Sequence, residues 1–437
     1  MKRFLDMSLL KWKKNPSRKP LILRGARQTG KTFSIRRFGK EHFRKLVWLD
    51  FERNPDYRKI FEKDLNPHRI CQEISLLKNE AILPGETLLF FDEAQECPQC
   101  LLSLRYFYEE MPDLHVVASG SLLEFAFRDL SMPVGRVQFM EMHPMGFVEF
   151  LWALGKNSQA DLILRQEREI PNSVHESLLH DLRQYMLVGG MPECVRLYSE
   201  RTPVLQVLSA QSELCRALRM DFSKYNPLIG ESCLNAVLSG ISRNSCRQTK
   251  YTRLAEGYSQ PTLKKAYTAL LMARLVYHIP SVNPQVLPLE SSPKIFKSCM
   301  LDVGLMNCLN AISTTSMVME ENLMAIYEGI LAEQFVAQEL LLATDCELYY
   351  WERSAKSSTA EVDFLFVRNG KIYPVEVKSF AAGKLKSLHM FLQAYPHARP
   401  GLVFSTNRPS SLPEQHLSFF PLYYAYSLGR DGVKENP

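Results

Sequence analysis

No run of the chain approaches the ~18 uninterrupted apolar residues that a membrane-spanning helix needs. The opening stretch MKRFLDMSLLKWKKNPSRK also lacks the continuous apolar core of a secretion signal. A cytoplasmic protein without a membrane partner is therefore expected. Cysteine occurs ten times but without a repeated spacing, which speaks against a disulfide framework and fits thiols kept reduced. The one C-x-x-C, Cys97 and Cys100, has no second pair or histidine cluster close by, so the ligand count for a structural zinc falls short. Excess charge is scarce as well: 53 basic against 47 acidic residues leave +6, compatible with nucleic acid but far from diagnostic. What remains is a globular composition, 46% hydrophobic and 23% charged, over a length of 437 residues that suits roughly two to four domains.

The strongest chemistry lies early. PLILRGARQTGKTFSIRRF reads as a short apolar strand, a glycine-bearing loop and a helix beginning near Lys31. Gly25, Ala26, Arg27, Gln28, Thr29, Gly30, Lys31 and Thr32 match G-x-x-x-x-G-K-[ST] at every fixed position. Glycine permits the dihedrals that turn backbone N–H groups onto phosphate oxygens, and the helix N-terminus adds positive potential. Lys31 would reach the terminal phosphates, and the Thr32 hydroxyl would ligate magnesium. Downstream, TLLFFDEAQE supplies a continuous apolar strand, Leu88 to Phe91, ending in two acids. Asp92 suits the magnesium shell, and Glu93 suits polarisation of an attacking water. A third strand, LHVVASGS, ends in Ser119, Gly120 and Ser121, which either sense the terminal phosphate or cap the next helix, two compatible roles. Arg136, in PVGRVQF, is either an arginine finger or a solvent-facing side chain.

Together LRGARQTGKT, LLFFDEAQE, VVASGSLLE, GRV with MHPMGFVEF, and YMLVGGMPECV resemble the bacterial and archaeal AAA-like ATPases that carry an uncharacterised C-terminal domain. The resemblance covers nearly the whole chain, and the five blocks occur in that family's order. The resemblance implies an ASCE-type P-loop core, ATP as nucleotide and Mg2+ as its companion.

After FVEFLWALG the composition turns polar from Lys156 to Asn172, marking a boundary or a long helical connection. Gly189-Gly190 before Met191-Pro192 signals a turn, with Pro192 ending any helix through Tyr185. In KYTRLAEGYSQPTLKKAYTALLMARLVYHIP, a short helix around Thr252 to Glu256 is followed by Ser259, which can cap a second helix bearing Leu263, Tyr267, Leu270 and Leu271. LVYHIP then reads as a strand. This is the layout of a winged helix-turn-helix, and the family resemblance agrees. Lys264 and Lys265 lie on the second helix, but Arg274 is nine positions further on and completes no stripe. DNA binding and a packing role both remain open for this module.

Near the end, EVDFLFVRNGKIYPVEVKS places Asn369-Gly370 between two β-rich runs, a two-residue hairpin signal. Residues whose numbers sum to 739 then oppose each other, setting Asp363 against Glu376 and Glu361 against Lys378. Alternation puts Val362, Phe364, Phe366, Tyr373, Val375 and Val377 on one apolar face. Glu361, Asp363, Glu376 and Lys378 cluster at the open end of the other. Opposed Cβ atoms lie ~5 Å apart, where two full negative charges repel by roughly 3 kcal/mol at an effective dielectric of 20. The pair needs a shared proton, a basic neighbour or a divalent cation. Lys378 supplies the second; a magnesium site with Lys378 positioning a hydrolytic water is the third.

The pattern D-(x12)-E-x-K after a helix is similar to the PD-(D/E)XK nuclease superfamily, although Val362 stands where the name-giving proline would be. That resemblance implies a further ligand from the preceding helix, with Glu333 the best match beside Glu328 and Glu339. Pro374 inside the second strand calls for an edge position or a bulge.

The expected organisation is α/β throughout. An AAA-like P-loop NTPase domain with a parallel sheet and flanking helices spans 1–150. A helical connection (151–235), a winged-helix-like segment (236–320) and a PD-(D/E)XK nuclease-like domain (321–437) follow. The expected function is ATP-driven action on, or regulation by, DNA or RNA. Lys31 and Glu93 are the catalytic residues of the ATPase, while Asp363, Glu376 and Lys378 cut if cutting occurs. Magnesium ligands are Thr32 and Asp92 at the first site and Glu333, Asp363 and Glu376 at the second. Gly25 to Thr32, Asp92, Ser121 and Arg136 contact the nucleotide. The competing expectation is a nucleotide-dependent switch or scaffold whose C-terminal domain binds without cutting; association into a homo-oligomer is left open.

Overall fold

Six consecutive buried residues, Thr87–Asp92, define the central strand of the first folded unit in the computed structural model, which describes all residues except 129–134, 226–228, 286, 311–328, 346, 356–357, 379–384 and 434–437. The chain divides into two compact units: residues 2–143 with 272–274, and residues 144–271 and 275–437 with residue 1.

In the first unit, strands β1 (Leu21–Arg24), β2 (Lys45–Asp50), β3 (Thr87–Asp92), β4 (His115–Gly120) and β5 (Gln138–Glu141) form one sheet in the order β2-β3-β4-β1-β5. Every pairing is parallel. Helices α1 (Phe4–Lys14), α2 (Lys31–His42), α3 (Pro67–Lys78), α4 (Pro98–Glu110) and α5 (Leu123–Phe127) connect or flank them. Strand β3 is apolar at successive positions because both its faces are covered. Leu88 and Phe90 pack with Leu9 and Trp12 of α1 and Ile35 and Phe38 of α2. Leu89 and Phe91 pack with Ile70 of α3 and Leu101 and Leu104 of α4. Each such side chain, fully withdrawn from water, contributes about 1.5–3 kcal/mol, and the result is a rigid strand end carrying Asp92 and Glu93.

The second unit opens with helices α6 (Phe147–Ala153), α7 (Asn157–Arg165), α8 (Asn172–Val188), α9 (Pro192–Ser199), α10 (Val204–Met220), α11 (Phe222–Tyr225) and α12 (Glu231–Arg243). Helix α8 runs to Val188, and Pro192 opens α9 rather than merely closing its predecessor: a proline at the first helical position forfeits an N–H that would be unpaired anyway. Then come β6 (Gln248–Thr249), α13 (Gln260–Met272), β7 (Val276–Asn283), β8 (Glu290–Met300), α14 (Val303–Leu309), α15 (Ile330–Ala343), β9 (Tyr349–Ala355), β10 (Ser358–Arg368), β11 (Lys371–Val377), α16 (Lys386–Ala394), β12 (Gly401–Ser405), β13 (Ser410–Leu412), β14 (Leu417–Pro421) and α17 (Ala425–Asp431). The short helix expected near Thr252 is a 3-10 turn, Tyr251–Arg253, and Ser259 does lie at the start of α13, with its Oγ accepting from the Thr262 N–H at 3.4 Å.

One mixed sheet orders nine strands as β13-β14-β12-β11-β10-β9-β7-β8-β6. The segments expected to form separate winged-helix-like and nuclease-like domains thus share a sheet through the parallel contact of β7 with β9. The boundary placed at residue 320 lies outside the described residues. The β10–β11 hairpin keeps the counted register, from Arg368 opposite Lys371 to Phe364 opposite Val375. Pro374 sits in an interior strand rather than an edge, and the parallel pairing with β12 begins one residue beyond it, at Val375. The irregularity falls on the other side of β10, between Val362 and Leu365 against β9. That shift corrects the expected alternation: Val362 joins Leu365 and Ile372 in a cluster with Leu388, Phe391 and Leu392 of α16.

Buried polar groups tie the helices together. Asp302 accepts from the backbone N–H of Gly190 (2.6 Å) and of Leu305 (3.0 Å). Glu339 is buried, and its carboxylate accepts from the Phe147 N–H at 2.9 Å, so it satisfies the first turn of α6. Burial pushes the Glu339 carboxyl up to about 8. A carboxyl raised in the fold binds its proton more tightly there than in the unfolded chain. Its contribution to stability is full below about pH 4.5 and is lost as pH rises through 8. Glu339→Gln should therefore flatten the pH dependence of stability across that window, where the parent loses up to about 4 kcal/mol. Denaturant midpoints at pH 5 and pH 8.5 measure it, and equal slopes in parent and variant would refute it.

Candidate functional site

The loop between β1 and α2 is shaped by left-handed backbone: φ is 152° at Gly25, 64° at Gln28 and 93° at Gly30. A Cβ at Gly25 would stand 2.2 Å from the Met142 carbonyl oxygen, so the close approach of β1 to the strand beside it also requires glycine. Thr29 is buried, and its hydroxyl donates to the Ala26 carbonyl at 2.9 Å, bracing the loop from within. The Lys31 ammonium is folded onto the loop and donates to the carbonyls of Gly25 (2.9 Å) and Ala26 (2.8 Å). Burial lowers its pKa to about 8, against the opposing pull of Glu93 and Asp92.

Asp92, at the end of β3, accepts from the Ser119 hydroxyl at 2.6 Å and from the Thr32 side chain. Burial raises its pKa. Glu93 follows in a left-handed conformation, φ 50°, that turns it out of the strand direction. Its carboxylate accepts from Gln95 Nε2 at 2.7 Å, and its pKa too is raised by burial. The sequence motif thus becomes one cluster of Lys31, Thr32, Asp92 and Glu93. Ser119 is the β4 residue that reaches Asp92, whereas Ser121 accepts from Arg27 Nε at 3.3 Å. Arg136 pairs with Glu109 of α4 at 3.0 Å and is half exposed, so it is not engaged with the loop. Gln95, the positioner of Glu93, went unread although it stands two residues after it. Cys97 and Cys100 are buried free thiols.

The second cluster is built on β8, β10, β11 and α15. Asp363 Oδ2 accepts from the Val377 N–H at 2.8 Å, and Glu376 Oε1 accepts from Lys378 at 2.7 Å. Glu333 lies in the first turn of α15, where burial and then the nearby Asp363 raise its pKa; the same two causes raise that of Glu376. Glu339, weighed beside Glu333, instead caps α6, and Glu328 lies outside the described residues. Sequence reasoning missed Lys297. Its side chain is 1% exposed, forms an ion pair with Glu361, lies 3.8 Å from Asp363 Oδ1 and donates to the Asp363 carbonyl at 3.2 Å. Burial works against its charge, but Asp363, Glu361 and Glu333 together push its pKa above the ordinary lysine value. Gln248 Nε2 donates to the other Glu361 oxygen at 2.6 Å. Among the described residues, no three His, Cys, Asp or Glu side chains are grouped so as to hold a metal ion. Of the expected ligand set, Asp363 lies beside the Lys297 ammonium and Glu376 beside that of Lys378, while Glu376 Oε2 is buried without a hydrogen-bond partner.

Residues 17–151 match the family model described as AAA domain. The first unit is a P-loop ATPase domain. Residues 179–316 and 328–424 match two models described as domains of unknown function, DUF8612 and DUF4143. No curated protein matches the chain. Among solved structures, the Walker-type ATPase paby2304 of Pyrococcus abyssi is 14% identical, covering 70% of this chain and 94% of its own at a TM-score of 0.43. The Aeropyrum pernix ORC1 protein in complex with DNA is 12% identical, with coverages of 72% and 94% and a TM-score of 0.28. The Thermotoga maritima RuvB Holliday junction branch migration motor is 15% identical, with coverages of 66% and 90% and a TM-score of 0.28. None reaches a TM-score of 0.5; the family match, the sheet order and the loop geometry carry the assignment. No described helix is long and apolar enough to cross a membrane.

Proposed function

We propose that the protein is a Mg2+-dependent ATPase that acts on or is regulated by nucleic acid, with a C-terminal nuclease-like domain (321–437) that binds rather than cuts. Enclosure of Lys31, Thr32, Asp92 and Glu93 at the ends of β1 and β3 carries the first part. The cradle fits a nucleotide: a Cβ is excluded at Gly25, and a buried carboxylate faces a helix N-terminus. Magnesium ATP, when bound, supplies the phosphoanhydride and the charge that orients it. Lys31 exchanges its two carbonyl partners for terminal phosphate oxygens, while Thr32 and Asp92 hold the ion. Glu93, steadied by Gln95, orients a water and takes its proton. Ser121 and Arg27 border the phosphates, and Arg136, exposed and paired with Glu109 of α4, is suited to act as a finger in a neighbouring copy.

Exposed Lys264 and Lys265 on α13 support the nucleic-acid part of this reading; Arg274, grouped with the first unit, adds nothing to them. ATP turnover should rise in the presence of duplex DNA, and Lys264→Glu with Lys265→Glu should weaken salt-dependent duplex binding by tenfold or more, on the order of 1 kcal/mol per contact. Turnover indifferent to duplex, single-stranded DNA and RNA would remove nucleic acid from the proposal. Binding in place of cutting is supported by Lys297 among the carboxylates. Wild type and Asp363→Ala should show equal, absent degradation of plasmid and single strands in Mg2+, with or without ATP. Cleavage lost only in the variant would restore the nuclease.

A further inference from the structure

We infer that Lys297 is the resident cation of the C-terminal carboxylate cluster: an ammonium built into β8 serves where a divalent ion would otherwise stand, and the site works without metal. Four observations carry this. The ammonium is fully withdrawn from solvent, a costly placement that only a matching set of acceptors sustains. It is held by Glu361, by Asp363 Oδ1 and by the Asp363 carbonyl, and it lies 5.3 Å from the Tyr350 ring centre and 5.4 Å from that of Phe364. Three more oxygens are committed, Asp363 Oδ2 to Val377 N–H, Glu361 Oε2 to Gln248 and Glu376 Oε1 to Lys378, while Glu376 Oε2 is buried without a hydrogen-bond partner. Hard cations of the magnesium class need several convergent oxygens at about 2.1 Å. Here Glu361 Oε1, Asp363 Oδ1 and the Asp363 carbonyl are turned to the Lys297 nitrogen, and among the described residues no three His, Cys, Asp or Glu side chains are grouped so as to hold an ion.

Lys297 also comes from outside the hairpin that bears Asp363 and Glu376. It reaches them because β7 pairs with β8 on one side and β9 on the other, placing both segments in one sheet. The cluster is thus a joint between two stretches of chain, locked by charge. The inference concerns the same carboxylates as the binding role proposed above, and it would stand if nucleic acid proved not to be the partner.

Manganese is the probe, titrated into the nucleotide-free full-length chain and followed by electron paramagnetic resonance of the free ion. Wild type and Asp363→Asn should take up Mn2+ equally. Lys297→Met should gain about one ion per chain at least tenfold more tightly than wild type, and adding Asp363→Asn should remove it. Because Lys297→Met leaves acids uncompensated, Lys297→Met with Glu361→Gln removes one charge of each sign and guards against misfolding. A wild-type Mn2+ site that vanishes in Asp363→Asn would overturn the inference, as would a folded Lys297→Met chain that gains none. If neither lysine variant folds, the comparison of wild type with Asp363→Asn decides alone. Failure of nucleic acid to stimulate ATP turnover would leave these results untouched, so the two proposals fail separately.

Discussion

Replacing Lys31 with methionine should abolish ATP turnover while leaving the nucleotide-free protein about as stable as the parent. The loss of turnover follows from charge. Phosphoryl transfer draws mainly on positioning and electrostatic stabilisation, and removing one well-aimed donor from a comparable site costs about 10²–10³ in rate. Stability behaves oppositely because Lys31 is an expense to the empty fold. Its side chain is buried and its pKa is lowered to about 8 by that burial. A lysine depressed in the fold releases a proton on folding between pH 8 and its unfolded value near 10.5, so this group's contribution to stability rises with pH through that window. At pH 7 it therefore burdens the fold by up to roughly 3 kcal/mol. Methionine lifts that burden but gives up the bonds to the Gly25 and Ala26 carbonyls and the compensation of Asp92 and Glu93. A melting temperature within a few degrees of the parent is expected. Steady-state hydrolysis and thermal melts together test this. Undiminished hydrolysis would refute the site, and a large drop in melting temperature would assign the lost activity to misfolding.

The ATP site was legible because its chemistry is local. A strand buried on both faces reads as an unbroken apolar run, so TLLFFD announced both its own burial and the two acids at its end. The glycines of the loop announced backbone that other residues rarely adopt, and φ at Gly25, Gln28 and Gly30 follows suit. Ser119 was harder to place: three small residues end β4, and only the twist of the strand decides which hydroxyl meets Asp92. In the C-terminal hairpin, Asn369-Gly370 fixed the register through Pro374, but the shift between Val362 and Leu365 depends on β9, a strand that the hairpin's own pattern does not encode. Lys297 was invisible for a stronger reason. Its partners lie 64 and 66 residues away, at Glu361 and Asp363, and nothing in SSPKIFKSCML states that β8 and β10 belong to one sheet. A lysine between Phe296 and Ser298, within the run 296–300 that is buried throughout, was the available signal.

Gly190→Ala should cost more stability than any other single methyl addition discussed above, at least about 4 kcal/mol, enough to deplete folded protein at 37 °C. The GGMP block carries no reactive group, yet its backbone is fixed on both sides. Gly190 donates to Asp302 Oδ2 at 2.6 Å, and its carbonyl accepts from Met145 N–H at 2.7 Å. A Cβ there would stand 2.1 Å from the Met145 carbonyl oxygen. That oxygen cannot retreat freely, because the Tyr185 hydroxyl donates to it at 2.6 Å and is itself held by Gln338 at 2.6 Å. Relief would have to break one of these bonds inside a buried network, where an unpaired group costs about 1–3 kcal/mol beyond the steric strain. Gly230→Ala is the matched control. Gly230 has an ordinary φ of −60°, and among the described residues its Cβ would meet nothing nearer than Ser232 Oγ at 3.5 Å. That substitution should stay within about 1 kcal/mol of the parent, the loss of a favoured helix cap set against reduced freedom of the unfolded chain. Urea denaturation of both variants, read with ATP turnover of the fraction that folds, measures the contrast. Equal midpoints for Gly190→Ala and Gly230→Ala would show that the Met145 backbone can move, and that the network around Asp302, Tyr185 and Gln338 does not hold it.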